Sequence, residues 1–136
     1  MKTYVLDASV ILTFLLGEKA TVKEKFPKIL RQAQKGKVKL YSSYLLPLEI
    51  GNGLRYTIKD GILAEEVLKK FLRLPIDFFV LSSLHYKKIL QLSYLLKTSF
   101  YDTSYHFLAK ILKGVFLTCD TKYYKKAKKL GNIEFL

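Results

Sequence analysis

Twice in this chain an apolar run stops at an aspartate and a helical pattern starts at once. Residues 3–6 read as a short buried strand that ends on Asp7, and Val10–Leu16 then reads as a helix started by Asp7 or Ser9. Val115–Thr118 reads as a strand that leads through Cys119 to Asp120, and Lys122–Leu130 follows as a helix with Gly131 at its C-terminal cap position. Parallel strands need crossover connections and helices supply them, so such junctions constrain the fold more than any composition does.

The stretch between the two junctions keeps the same alternation. Val22, Phe26, Ile29, Leu30 and Ala33 hold a 3.6-residue period across Thr21–Lys35, which predicts an amphipathic helix ending at Gly36. Val38–Tyr41 reads as a strand. Pro47 opens a helix that carries Glu49 and runs to about Lys59, before Asp60 and Gly61. Ile62–Leu72 is a helix stopped by Pro75, Phe78–Leu81 a strand, Leu84–Leu96 a helix, and Thr103–Leu112 a helix begun at or near Asp102. A last short strand covers Ile133–Leu136. The expectation is an α/β fold with a central, mainly parallel sheet of five short strands and helices on both faces.

At 136 residues the chain has the size of one domain spanning 1–136, and its 50% hydrophobic content excludes disorder. The longest uncharged stretch, Ala8–Gly17, is too short to span a bilayer. Asp7 interrupts the apolar opening and Glu18 and Lys19 follow it, which argues against a signal peptide. A single Cys119 forms no internal disulfide and agrees with a reducing compartment, so a cytoplasmic protein is expected. The excess of 24 Lys and Arg over 11 Asp and Glu, a formal charge of +13, favours nucleic acid over a membrane surface as partner, since no amphipathic anchor helix is visible.

With so few acids, their positions carry information. In an open parallel sheet ligands bind beyond the carboxyl ends of the strands, where Asp7 and Asp120 fall. Each acid alone has an ordinary explanation as a helix cap or as a charge at the positive end of a helix dipole, and the same holds for Asp102 and Glu49. Together they can share one rim, and clustered carboxylates repel unless a cation joins them. A hard divalent ion, Mg²⁺ or Mn²⁺, suits all-oxygen ligands and phosphodiester cleavage. Zinc is poorly served, because His85 and His106 show no zinc-ligand spacing and Cys119 stands alone.

Four stretches then resemble the blocks of PIN-domain nucleases, in order and across nearly the whole chain: Tyr4 to Ile11, Leu46 to Asn52, Tyr101 to Ala109, and Leu117 to Lys122. The likeness is greatest to the VapC-like ribonuclease toxins of toxin–antitoxin pairs. The resemblance implies a PIN-like three-layer α/β/α fold with strand order 3-2-1-4-5, in which the first and fourth strands are adjacent. It implies an acidic catalytic site of Asp7, Glu49, Asp102 and Asp120, with Asp7, Asp102 and Asp120 as metal ligands and Glu49 acting through water. Ser9 would orient Asp7 or a metal-bound water, or cap a helix. Implied partners are an RNA substrate, a small antitoxin and a second copy of the chain.

Secondary candidates surround this set. Glu49, Asn52 and Tyr56 lie on one helical stripe that could meet RNA, and Arg55 and Lys122 could hold phosphates; a solvated polar face explains them as well. His106 reads more readily as a packed histidine than as an acid or base, and Tyr101, Tyr105, Tyr123 and Tyr124 as packing residues rather than base-stacking platforms. Gly51 and Gly53 imply close packing of their helix. The rival functions are a PIN nuclease of RNA maturation or decay and a non-catalytic RNA-binding module; an aspartyl-phosphate phosphatase is disfavoured because Ser9 stands where such enzymes have a second Asp.

Overall fold

The computed structural model describes residues 1–136. In chain order the elements are β1 (Lys2–Leu6), α1 (Ala8–Leu16), α2 (Ala20–Gln34), β2 (Val38–Ser43), α3 (Leu45–Thr57), α4 (Gly61–Leu72) and β3 (Ile76–Phe79). They continue with α5 (Ser83–Leu96), α6 (Phe100–Ile111), β4 (Val115–Thr118), α7 (Thr121–Ala127), a 3-10 turn (Lys128–Leu130) and β5 (Ile133–Phe135). The five strands form one sheet in the order β3-β2-β1-β4-β5, and every neighbouring pair is parallel.

The chain builds outward from β1 through β2 to β3, then returns to the other side of β1 for β4 and β5. Strand order therefore reverses between β1 and β4, and the carboxyl ends of those two strands are where such sheets bind ligands. Leu6 stands opposite Leu117 in the β1–β4 register, which brings Asp7 and Asp120 out on the same edge. At the opposite end Gly114 allows β1 and β4 to approach, because a Cβ there would stand 2.6 Å from the Thr3 carbonyl oxygen.

Val5, Leu6, Leu40, Phe116 and Leu117 from the sheet pack with Val10, Ile11, Ile50, Ile89 and Leu108 from the helices, all of them buried. Among the helices α6 is the most enclosed, burying Thr103, Ser104, Tyr105, His106, Leu108 and Ala109. In α3, Gly53 faces Leu12 of α1, where a Cβ would meet Leu12 Cδ1 at 2.6 Å, while Gly51 has open space beside it. Close packing thus explains only the second of these glycines. No helix is long and apolar enough to cross a membrane.

Several boundaries differ from those expected, and three of them bear on the site or the sheet edge. β3 covers Ile76–Phe79 rather than Phe78–Leu81, starting directly after Pro75. It is an edge strand, so Asp77 can pair with Tyr41 through its backbone while its side chain stays in water. α3 starts at Leu45, with Pro47 third in the helix; the first four N–H groups have no intrahelical partner, so proline removes no bond there. Glu49 therefore lies in the second turn, not the first. α6 starts at Phe100 and is capped by Ser99, whose Oγ accepts the Asp102 N–H at 3.0 Å. Asp102 is thus inside the first turn rather than at the cap. α2 also runs through Pro27, at the loss of one ladder bond, held by buried Phe26 and Leu30 on either side.

Candidate functional site

Asp7 caps α1 and is almost wholly enclosed, with 4% of its surface exposed. Its Oδ1 accepts from Ser9 Oγ at 2.6 Å and from the Val10 N–H at 3.1 Å, and its Oδ2 accepts from Thr118 Oγ1 at 2.8 Å. Ser9 Oγ also accepts the Cys119 N–H at 2.9 Å, and Thr118 Oγ1 accepts the Asp120 N–H at 3.0 Å. Each hydroxyl thus gives its only proton to Asp7 and takes one from the backbone after β4. The two strand–acid–helix junctions are tied together through these two side chains.

Burial pushes the Asp7 carboxyl up to about 6 in spite of its three hydrogen bonds, and the charge of Asp102 adds to the rise. Asp102 itself is half-buried and raised, first by burial and further by the charge of Asp120. Glu49 is raised by burial and by Asp102, against the lowering effect of a hydrogen bond from the Tyr105 hydroxyl to its Oε1 at 2.9 Å. Asp102 is therefore the centre of the group, within electrostatic reach of the other three acids. Asp120 caps α7, its Oδ1 accepting the Tyr123 N–H at 3.0 Å.

The secondary residues separate by position. Asn52 lines a shallow depression with Glu49, Leu45, Leu48 and Tyr101. Lys122 shares a polar cavity with Asp102 and Asp120. Arg55 instead leans on Tyr56, its guanidinium 5.4 Å from the ring centre. Tyr105 and Tyr123 are buried and unavailable for stacking, Tyr124 is half-buried, and only Tyr101 of that set is exposed. His106 is fully buried: its Nε2 donates to the Gly131 carbonyl at 2.7 Å, which leaves Nδ1 to accept from the Tyr123 hydroxyl at 2.8 Å. Burial lowers its pKa, so it stays neutral and packs α6 against α7. Cys119 is only half-buried, less enclosed than a core cysteine.

Two participants escape the sequence reading. Thr118 is 111 residues from the Asp7 it contacts, and Tyr105 is 56 residues from Glu49. A polar residue closing an otherwise apolar strand, as Thr118 does, is the available signal; for Tyr105 there is none, because a tyrosine in a buried helix is ordinary packing.

No three of these acidic side chains are drawn together into a ready-made metal-ligand set. The donor chemistry nonetheless fits a hard divalent ion, which commonly binds through one or two carboxylates, with water and substrate phosphate oxygens completing the shell. A carboxylate whose pKa is raised by a neighbouring acid, as that of Asp102 is by Asp120 after burial, gains from a cation at the same place.

A family profile described as the PIN domain matches residues 4–129. No curated protein matches. Among solved structures, PAE2754 from Pyrobaculum aerophilum aligns at 22% identity over 98% of this chain and 90% of that one, with a TM-score of 0.70. DNA-bound VapBC from Salmonella typhimurium aligns at 15% identity over 100% and 98%, with a TM-score of 0.71. VapBC2 from Rickettsia felis, bound to a DNA fragment from its promoter, aligns at 12% identity over 98% and 97%, with a TM-score of 0.70. At such identities the structural likeness speaks for the fold, while the profile spans nearly all of the sequence, and on that ground the chain belongs to the PIN-domain family of nucleases.

Proposed function

We propose that this protein is a divalent-metal-dependent endoribonuclease that serves as the toxin of a VapBC-like toxin–antitoxin pair. The observation that carries the nuclease reading is the grouping of Asp7, Glu49 and Asp120 around Asp102 at the carboxyl ends of β1 and β4. In this reading Asp7, Asp102 and Asp120 hold Mg²⁺ or Mn²⁺, which when bound neutralises phosphate charge and makes water a stronger acid. Asp7 presents its carboxylate in one orientation because Ser9, Val10 and Thr118 fix both of its oxygens. Glu49, steadied by Tyr105, accepts a proton from solvent beside the reacting phosphate. Asn52, in the depression beside Glu49, and Lys122, in the cavity with Asp102 and Asp120, hold the RNA.

The protein should cleave single-stranded RNA only with Mg²⁺ or Mn²⁺ present. EDTA or Asp7→Asn should abolish cleavage, and full activity of that variant would overturn the assignment. The toxin reading draws on the VapBC structures that share the fold, and it carries with it a small antitoxin and a homodimer as partners. Arrested growth on expression, relieved by co-expressing a small adjacent open reading frame, is the expected result. Normal growth combined with RNA cleavage would place the enzyme in RNA maturation or decay instead.

A further inference from the structure

We propose that the cavity between the α5–α6 turn and α7 binds a second phosphate of the same RNA strand, next to the one that is cleaved. This rests on the nuclease reading and adds a requirement to it. The cavity measures about 190 Å³. Lys97, Thr98, Ser99 and Asp102 line it from the α5–α6 side, and Asp120, Lys122, Tyr123 and Lys126 from the α7 side, so that its two acids join it to the acidic site.

Three lysines line this cavity and none pairs with a carboxylate. The ion pairs of the protein lie elsewhere, between Lys28 and Glu24 on α2 and between Lys69 and Glu65 or Glu66 on α4. Lys126 is held in place, its Nζ donating to the Lys97 carbonyl at 2.9 Å. That bond also joins α7 to the end of α5, where Lys97 takes a left-handed conformation at φ 57°. The neighbouring Lys125, Lys128 and Lys129 are exposed but do not line the cavity.

The hydroxyls sort themselves by their partners. Thr103 Oγ1 donates to the Ser99 carbonyl at 2.7 Å, so the Thr98 hydroxyl, 2.6 Å away, spends its proton on Thr103. Ser99 Oγ only accepts, from the Asp102 N–H, which leaves its proton free to donate. The cavity therefore offers lysine N–H groups and one serine O–H beside a site for phosphodiester cleavage. A polyanion whose charges recur along a chain places one phosphate at the acids and the next among these lysines.

The substrate consequence is measurable with a dinucleoside monophosphate, which has one phosphate, and with the same compound carrying an added 5′- or 3′-phosphate. Affinities are read on the Asp7→Asn protein with Mg²⁺ and need no turnover. One of the two added phosphates, and not the other, should tighten binding about tenfold or more, as expected for a new charge-assisted contact. Lys122→Gln should remove most of that gain, and Lys122→Gln with Lys126→Gln all of it, and in both variants the extended compound should lose more affinity than the unextended one. The double variant should lower the salt slope of RNA binding by roughly two. Lys37→Gln, at the amino end of β2 and across the sheet, should change neither.

No gain from either added phosphate, or an undiminished gain in Lys122→Gln, would overturn the subsite. Because Lys122 makes no hydrogen bond within the protein, its substitution leaves the fold intact. Absence of cleavage by the unsubstituted protein would count against the nuclease reading alone.

Discussion

The β1–α1 and β4–α7 junctions are built on one plan, a parallel strand ending in an aspartate that caps the next helix, yet the two acids live in different surroundings. Asp7 is sealed among Ser9, Val10 and Thr118, with both oxygens engaged. Asp120 is half-exposed, uses one oxygen for the cap and opens onto a cavity. Burial raises the first, so its charge is stored at a cost until a cation relieves it. Local sequence places an acid at a strand end; neighbouring elements decide whether it becomes a fixed anchor or an open ligand.

Removing charge at each junction tests that contrast most severely. Asp7→Asn should lower Mg²⁺-dependent RNA cleavage by more than about 1,000-fold, and Asp120→Asn by only about 10–100-fold, because water can take the place of an open, half-exposed ligand. Single-turnover rates decide it, and equal losses would erase the distinction between anchor and open ligand.

Stability without metal should show the opposite ranking. The Asp7 carboxyl titrates near 6 when folded against an ordinary 3.8, so the folded state bears no penalty below about pH 4, accumulates one between pH 4 and 6, and carries it in full above. That gap corresponds to about 3 kcal/mol. Thermal melts in EDTA should therefore find Asp7→Asn more stable than the unsubstituted protein at pH 7, by up to that amount, and no more stable at pH 4. Asp120→Asn should change stability by less than about 0.5 kcal/mol, since Asn caps a helix as well as Asp. A destabilised Asp7→Asn at pH 7 would contradict the burial argument.

The bridge between the junctions is the next lever. Thr118→Val leaves Asp7 Oδ2 and the Asp120 N–H without their partner and should cost about 1–3 kcal/mol, with Thr118→Ser restoring most of it. Smallest is Tyr105→Phe, worth about 1 kcal/mol. Its hydrogen bond lowers the Glu49 pKa, so its loss should move the acid limb of the pH–rate profile upward. An unmoved profile would mean that Glu49 takes no part in proton transfer.

Much of this architecture is legible in the chain because periodicity and strand–helix alternation are local properties. Val22, Phe26 and Leu30 mark α2 correctly as its buried face. The errors come where two local rules compete. Asp102 looks like a cap, but Ser99 three residues earlier takes that role, and Phe100 and Tyr101 join the helix ahead of it. Asp77 looks like a strand breaker, but at the sheet's edge water solvates its side chain while its backbone pairs with β2. In the site, the acids stand out because acids are scarce. Thr118 and Tyr105 stay hidden because their importance lies in contacts across the fold, and Lys97 because only α7 turns it into a wall of a cavity.

The burial of α6 has a consequence for timing. Amides exchange with solvent through openings whose free energy follows local packing, and this helix is enclosed along most of its length, with His106 held through both ring nitrogens and Tyr105 through its hydroxyl. Its amides should be among the slowest in the molecule to exchange, well behind those of the exposed α4. Asp102, central to the acidic group, then rides on a segment that stays folded through the opening of its surroundings, so its backbone position persists while the elements around it open and close.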